Sequence, residues 1–265
     1  MVDATSSELL KELNDKQDLV EALPLVLGIT AVVLAGALLG ESPAWVLALA
    51  LTIGASLSLL AYKRDVLKKT VTVLYDLEPD FEQEYRRVYE TFEQLRQCGR
   101  IWLVEARGET AETRYHAGAS MLVRRTVISI SFGLPKYVKS NIEVPIVPVG
   151  KQALYFFPDA LLVQEGKQFG AIGYQRLNVS VRNQHFIEEG TVPQDSKVVE
   201  RTWKYVNKSG GPDRRFKDNR ELPVLQYEEI QFSSETGLNE VLQVSKPGVG
   251  AKIKGALLDL SKAAS

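Results

Sequence analysis

Hydrophobic and polar positions divide this chain into two unlike parts. From Ala22 to Gly40 nineteen successive residues carry no charge, Glu41 interrupts, and twenty-one more uncharged residues follow from Ser42 to Tyr62. A helix needs about 20 apolar residues to cross a bilayer, so each run predicts a spanning helix. The link Gly40-Glu41-Ser42-Pro43 has room only for a turn, which makes the helices antiparallel neighbours. Gly40 suits a left-handed helix end, Ser42 a cap, and Pro43 a first helical position. After the second run, Lys63, Arg64, Lys68 and Lys69 fall within eight positions. That basic flank marks the cytoplasmic side. The turn holds no Lys or Arg, so both termini are expected in the cytoplasm with the turn outside. Trp45 and Tyr62 stand near opposite ends of the second helix, where amphipathic rings prefer the interface.

Small residues recur four apart on these runs: Ala50, Gly54 and Ser58 on the second, Gly36 and Gly40 on the first. Such stripes let helices approach closely in lipid, either inside the hairpin or between protomers of a homo-oligomer. Neither run carries the ionisable groups that ion pathways use. The hairpin therefore reads as an anchor. Before it, residues 5 to 21 place Leu9, Leu10, Leu13 and Val20 at helical spacing on an acidic segment. A membrane-surface helix would be basic, so this one is expected as a solvated or partner-contacting lead-in. The acidic start also lacks the basic opening of a secretory signal.

Beyond residue 70 the pattern changes to that of a water-soluble domain. Thr70 to Tyr75 is β-branched and aromatic, which predicts a strand. Pro79 then opens a helix over 79–98, with Phe81, Tyr85, Val88, Phe92 and Leu95 on one face and Glu, Arg and Gln on the other. Short strand-like segments follow at 101–105, 121–132, 142–149, 153–157, 161–165, 169–174, 177–181, 224–232 and 240–244. Their close spacing suggests a barrel or sandwich. Pro145 and Pro148 mark their strand as an edge. Val249, Ile253, Ala256, Leu257 and Leu260 share one face of a closing amphipathic helix. The fold class is α+β, mainly antiparallel. The expected organisation is a lead-in at 1–21, a transmembrane hairpin at 22–62, a basic linker at 63–70 and a cytoplasmic domain at 71–265, with 71–150 and 151–265 as candidate subdomains.

Composition refines this picture in three places. The 265 residues carry a net charge of -1, which argues against bulk attachment to nucleic acid. Cys98 is the single cysteine and His116 and His185 are the only histidines, so neither an intrachain disulfide nor a zinc site is expected. Cys98, in the last turn of its helix, reads as a small half-buried residue. Against this neutral background, residues 201–220 hold seven basic and two acidic side chains. Trp203, Tyr205 and Phe216 are interleaved with them. Arg214, Arg215, Lys217, Arg220 and Lys208, with the backbone of Gly210-Gly211, form a candidate anion site. Arg suits phosphate or carboxylate through its planar fork, and a glycine turn can aim amides at an anion. The competing reading is a solvated loop whose arginines pair with Asp213, Asp218, Glu221 and the acids at 188–189. Gly210-Gly211 is not a P-loop, since no Gly-Lys-Ser/Thr follows. No nucleophile or metalloprotease motif accompanies the histidines. No catalytic residue, metal or cofactor is expected.

The stretch Leu154-Tyr155-Phe156-Phe157-Pro158-Asp159-Ala160-Leu161-Leu162-Val163, followed by Gly170-Ala171-Ile172-Gly173-Tyr174-Gln175-Arg176-Leu177, resembles the hairpins of pleckstrin-homology and GRAM-type domains. The resemblance covers residues 150–262 and implies a PH-like barrel with a closing C-terminal helix. The segment Gly210 to Phe216 resembles one found in bacterial proteins, which implies the bacterial inner membrane. Together these readings suggest a membrane-anchored, non-enzymatic binding or sensor module. It would meet membrane lipids, and would recognise an anionic small ligand or a protein partner at the cytoplasmic face. The alternative is a ligand-gated two-helix effector that oligomerises and perturbs the bilayer, as in bacterial defence.

Overall fold

The apolar runs form two long helices in the computed structural model, which describes residues 2–109 and 121–264. Helix α1 (Val2–Gln17) leads into α2 (Ala22–Leu39), and α3 (Ala44–Lys69) returns beside it. No residue of α2 is buried, and both helices expose leucine, isoleucine and valine around most of their circumference. Both are long and apolar enough to cross a membrane. The turn differs from the sequence reading by one residue. Gly40 keeps φ −83°, and Glu41 takes the left-handed φ of 52°. The Ser42 amide then donates to Ala37 O (3.0 Å) and the Glu41 amide to Leu38 O (3.2 Å). That pair of bonds is a Schellman closure with Glu41 as the left-handed residue. Pro43 stands before the first turn of α3, not inside it, and Ser42 makes no capping bond.

A joint of hydrogen bonds ties the hairpin to the rest of the chain. The Asp65 carboxylate on α3 accepts from the amides of Ala22 (3.0 Å) and Leu23 (2.8 Å), so α3 caps the start of α2. Lys69 is buried and donates to Gln17 O (3.1 Å) and Glu21 Oε1 (2.8 Å). Its ammonium also lies 5.9 Å from the Tyr137 ring centroid. Lys16 reaches Thr70 O at 2.9 Å. Helix α1 is therefore no solvated lead-in. Leu9, Leu10 and Leu13 pack with Val71, Val144 and Phe169 of the soluble part.

Thirteen strands, two further α-helices and a 3-10 turn (Tyr174–Arg176) build that part among the described residues. Strand β1 (Val71–Val73) pairs in parallel with β5 (Val138–Ser140), the one parallel pair among the described residues in a mainly antiparallel fold. Helix α4 (Pro79–Arg96) follows the predicted face, burying Tyr85, Val88, Phe92 and Leu95. A five-stranded sheet runs β4 (Ser131–Gly133), β6 (Val144–Val149), β7 (Gln152–Phe156), β8 (Ala160–Glu165), β9 (Gln168–Gly173). The second sheet runs β10 (Leu177–Ile187), β12 (Glu221–Ser234), β13 (Asn239–Val244), β2 (Ile101–Glu109), β3 (Met121–Val127). Strand β11 (Lys197–Trp203) pairs with the first half of β12.

Alternation explains the apolar run at 154–157. Leu154 and Phe156 enter the main core with Ile230, Phe232 and Leu242 of the second sheet, while Tyr155 and Phe157 face the smaller core under α1. Both faces of this sheet are covered, so its strands read as continuous hydrophobic runs. Helix α5 (Val249–Ala263) closes the main core with Ile253, Leu257 and Leu260. Its first turn lies so close to β12 that a Cβ on Gly250 would meet Ile230 Cγ1 at 2.9 Å, and the Gly250 amide donates to buried Glu228 (2.8 Å).

The remaining differences are local. The predicted strand 121–132 breaks after Val127, and its end crosses into the other sheet as β4. Strand β6 is internal, not an edge: β4 pairs with Val144–Ile146 and β7 with Ile146–Val149. Pro145 and Pro148 thus each have a partner strand on one side only, which is how the sheet tolerates their missing amides. Strands β5 and β11 form where the sequence pattern predicts none. No closed barrel forms among the described strands. A boundary near residue 150 would cut the β6–β7 hairpin and divide one shared core.

Candidate functional site

The basic segment is an arm connecting β11 to β12, and its own side chains hold its shape. The Lys204 amide bonds Arg220 O (2.9 Å), the Asp213 amide bonds Tyr205 O (3.1 Å), and Val206 bridges Pro212. Asn219 closes the base, accepting from the Tyr205 amide (3.0 Å) and donating to Tyr205 O (2.7 Å). The Tyr205 and Phe216 rings stack with centroids 4.1 Å apart. At the tip, Asn207 Oδ1 accepts from the amides of Ser209 (3.0 Å) and Gly211 (2.9 Å), and the Gly210 amide bonds Asn207 O (3.1 Å). Gly210 needs its left-handed φ of 83° for this closure. The tip amides are thereby turned inward to Asn207.

The predicted anion ligands divide into three groups. Arg215 forks onto Asp213, which is itself buried, and so belongs to the arm's internal structure. Arg220 donates to Glu189 O at 3.2 Å. Lys208, Arg214 and Lys217 are exposed and form no ion pair among the described residues. The structure therefore gathers no phosphate-sized nest from these residues, but a stiff arm carrying three open positive charges.

The helix-packing residues also divide. Gly54 is buried against α2, where an added Cβ would lie 2.2 Å from Thr30 Cγ2. Ala50 and Ser58 flank it, half-buried on the same stripe. Gly36 meets nothing within 4 Å, and the nearest atom to a Cβ on Gly40 is its own helix's Gly36 O. The stripe on α3 thus packs the hairpin, whereas Gly36 and Gly40 face away from it.

One polar cluster escaped sequence reasoning. On the outer face of the second sheet, the Arg125 guanidinium lies 4.0 Å from the Trp102 ring centroid and 3.7 Å from that of Phe186. It donates to Glu188 Oε2 (2.6 Å) and Gln243 Oε1 (2.8 Å), and the Tyr227 hydroxyl donates to the same Glu188 oxygen (3.0 Å). Arg125 and Glu188 side chains are only 12% and 10% exposed. Alternation with Ile101 and Leu103 could have put Trp102 on this face, but nothing in the local pattern pairs Arg125 with Glu188 and Gln243, 63 and 118 positions away.

Elsewhere two perturbed groups are held by their packing. Tyr75 donates to Asp159 (2.7 Å), whose carboxyl is held above its ordinary range by burial. Burial, with help from Asp195, pushes the Cys98 thiol up to about 11, which suits an inert thiol. His185 is exposed on β10, and His116 lies outside the described residues. No three His, Cys, Asp or Glu side chains converge as a metal site among the described residues. No protein-family model, curated protein or solved structure matches this chain.

Proposed function

We propose that this protein is a membrane-anchored, non-enzymatic binding module whose cationic arm engages an acidic segment of a partner protein. The observation that carries this reading is the arm itself. It is stiffened by the Tyr205–Phe216 stack and the Asn207 and Asn219 bonds, yet leaves Lys208, Arg214 and Lys217 open. A pre-formed element loses little freedom on binding, and exposed charges of one sign speed and select an oppositely charged partner. The inward-turned tip amides favour an extended acidic surface over a single phosphate. The two apolar helices serve as the anchor in this reading, inserted with the basic flank of α3 at the cytoplasmic face.

The effector alternative has less support. Contacts between protomers through the Gly54 stripe would need a surface that Thr30 already occupies within the hairpin.

The test is a titration of the full chain in nanodiscs with a glutamate-rich peptide and, separately, with inorganic phosphate. The peptide should bind in a salt-dependent manner, and the K208E/R214E/K217E variant should lose it. Equal binding by that variant, with its fold intact, removes the arm from consideration. Tight binding of phosphate alone would restore the small-ligand reading.

A further inference from the structure

A second cationic surface gathers at the foot of the hairpin, and it comes from parts of the chain far apart in sequence. Lys63, Arg64 and Lys68 are exposed on the last turns of α3. Two loops of the soluble part add Lys136, between β4 and β5, and Lys167, at the tip of the β8–β9 hairpin, both exposed. Tyr137 brings the first loop in, since its ring faces the buried Lys69 ammonium and its carbonyl accepts from the Val71 amide (2.8 Å). Asn14 brings in the second, bonding the Phe169 amide (2.8 Å) and carbonyl (2.9 Å) just after the hairpin tip. Lys136, whose ammonium lies 4.8 Å from the Tyr137 ring centroid, is then also within electrostatic reach of Glu21 and Tyr62, and Lys167 of Glu21.

The acids of the same region are mostly spent. Glu21 pairs with Lys69, Asp65 caps α2, and Glu12 pairs with Lys16. Asp15 on α1 and Asp18 just after it remain exposed, Asp18 in a small cleft with Lys167. Five exposed basic side chains against these two acids and Glu165, exposed beside Lys167 and bonded to the Gln152 side-chain amide, still leave a positive excess. Among them stand apolar side chains that face solvent: Val20 is 82% exposed, Leu67 71% and Leu19 44%. A water-facing surface would not place leucine and valine there beside the start of an apolar helix, whereas the boundary of a bilayer accepts both kinds of group.

We infer that this foot is a lipid-contact surface. In this inference Lys63, Arg64, Lys68, Lys136 and Lys167 rest on the phosphates of an anionic leaflet, and Leu19, Val20 and Leu67 enter the headgroup layer. It rests on the reading of α2 and α3 as a membrane anchor. The basic flank of α3 alone would only orient the hairpin; Lys136 and Lys167 extend the contact to the soluble domain and seat it on the bilayer. The partner is the leaflet surface itself, recognised by its negative charge.

The experiment uses the full chain in nanodiscs of phosphatidylcholine alone or in equimolar mixture with phosphatidylglycerol. A water-soluble acylating reagent labels lysines, and mass spectrometry reads the rate at each. Lys136 and Lys167 should label about fivefold more slowly in the anionic discs, with the difference shrinking at high salt. Lys197 and Lys208, near the opposite end of β12, should label equally in both. Equal rates at Lys136 and Lys167 in discs that do hold the protein overturn the lipid contact and leave the anchor standing. Failure of the chain to enter either disc overturns the anchor reading, and this inference with it.

Discussion

At the scale of single residues, every buried charged side chain among the described residues has a partner. Arg125 is the fullest case, with two aromatic faces, a carboxylate and an amide around one guanidinium. Its removal leaves Glu188 buried with Tyr227 and the Gly190 amide (3.2 Å) as its neighbours. Arg125→Ala should therefore destabilise the protein by about 3 kcal/mol or more, the usual range for a buried pair losing one partner. Arg125→Lys should recover only part of that, because an ammonium cannot stack or fork as guanidinium does. Denaturant titration of both variants measures it, and equal stability of the two would mean that charge alone matters there. Asp159 supplies a pH signature. Burial raises its carboxyl above the ordinary 3.8. A raised group favours folding fully below its unfolded value and loses that contribution as pH rises through its folded value. Wild-type stability should thus fall relative to Asp159→Asn from near pH 4 upward, since asparagine still accepts from Tyr75 but never ionises. Parallel stability profiles for the two proteins would show that Asp159 does not titrate in this range.

At the scale of elements, legibility followed burial geometry. Helices α4 and α5 were plain because each buries one face, and the periodicity of a one-sided element survives in its sequence, whereas the strands covered on both faces were plain as short apolar runs bounded by turn residues. The polar crossover at β11 was missed because its pattern has no apolar face: five of its seven residues are exposed. Pro145 and Pro148 misled because a proline requires only that its own missing amide face no strand, and two half-length neighbours meet that need inside a sheet. The arm at 201–220 was legible as a basic oddity. Which of its arginines is spoken for was not, because that depends on Asp213 and Asn207 folding back over two to four residues. Helix α1 was misread for a related reason. Its short leucine stripe looks too narrow for a core, but Asn14 adds two bonds to the open edge of β9 in place of a neighbouring strand. That contact covers an edge that would otherwise template aggregation. Asn14→Ala should lower stability by about 1–3 kcal/mol, as two buried-edge bonds are lost. Hydrogen exchange should place the loss at the Phe169 amide. Unchanged protection there would mean that the leucines alone hold α1.

At the scale of the whole molecule, two cationic surfaces sit at opposite ends of one long strand. Strand β12 starts at the arm and ends at Ser234, thirteen residues later, a span of roughly 40 Å at the usual rise. The turn after it lines a cleft with Gln168 and Phe169, beside the α1 contact. A foot on the bilayer and an arm at the far end of β12 make sense as one device only if the domain stands at a fixed angle on its anchor. The joint around Lys69 is what would fix that angle. It links α1, the α1–α2 turn, α3 and the Tyr137 loop through one side chain that is 3% exposed. Alanine there would leave Glu21 without its cation and Gln17 O without its donor, while α1 keeps its Asn14 and leucine contacts. Lys69→Ala should therefore keep the domain folded but free it to swing. Spin labels at Glu41→Cys in the hairpin turn and Lys208→Cys on the arm would report this as a distance distribution, narrow in the parent and broad in the variant. The half-buried Cys98 thiol, pushed up to about 11, should label slowly. An equally narrow distribution in Lys69→Ala would assign the angle instead to α1 and the parallel β1–β5 pair, and Asn14→Ala in the same background would then have to broaden it.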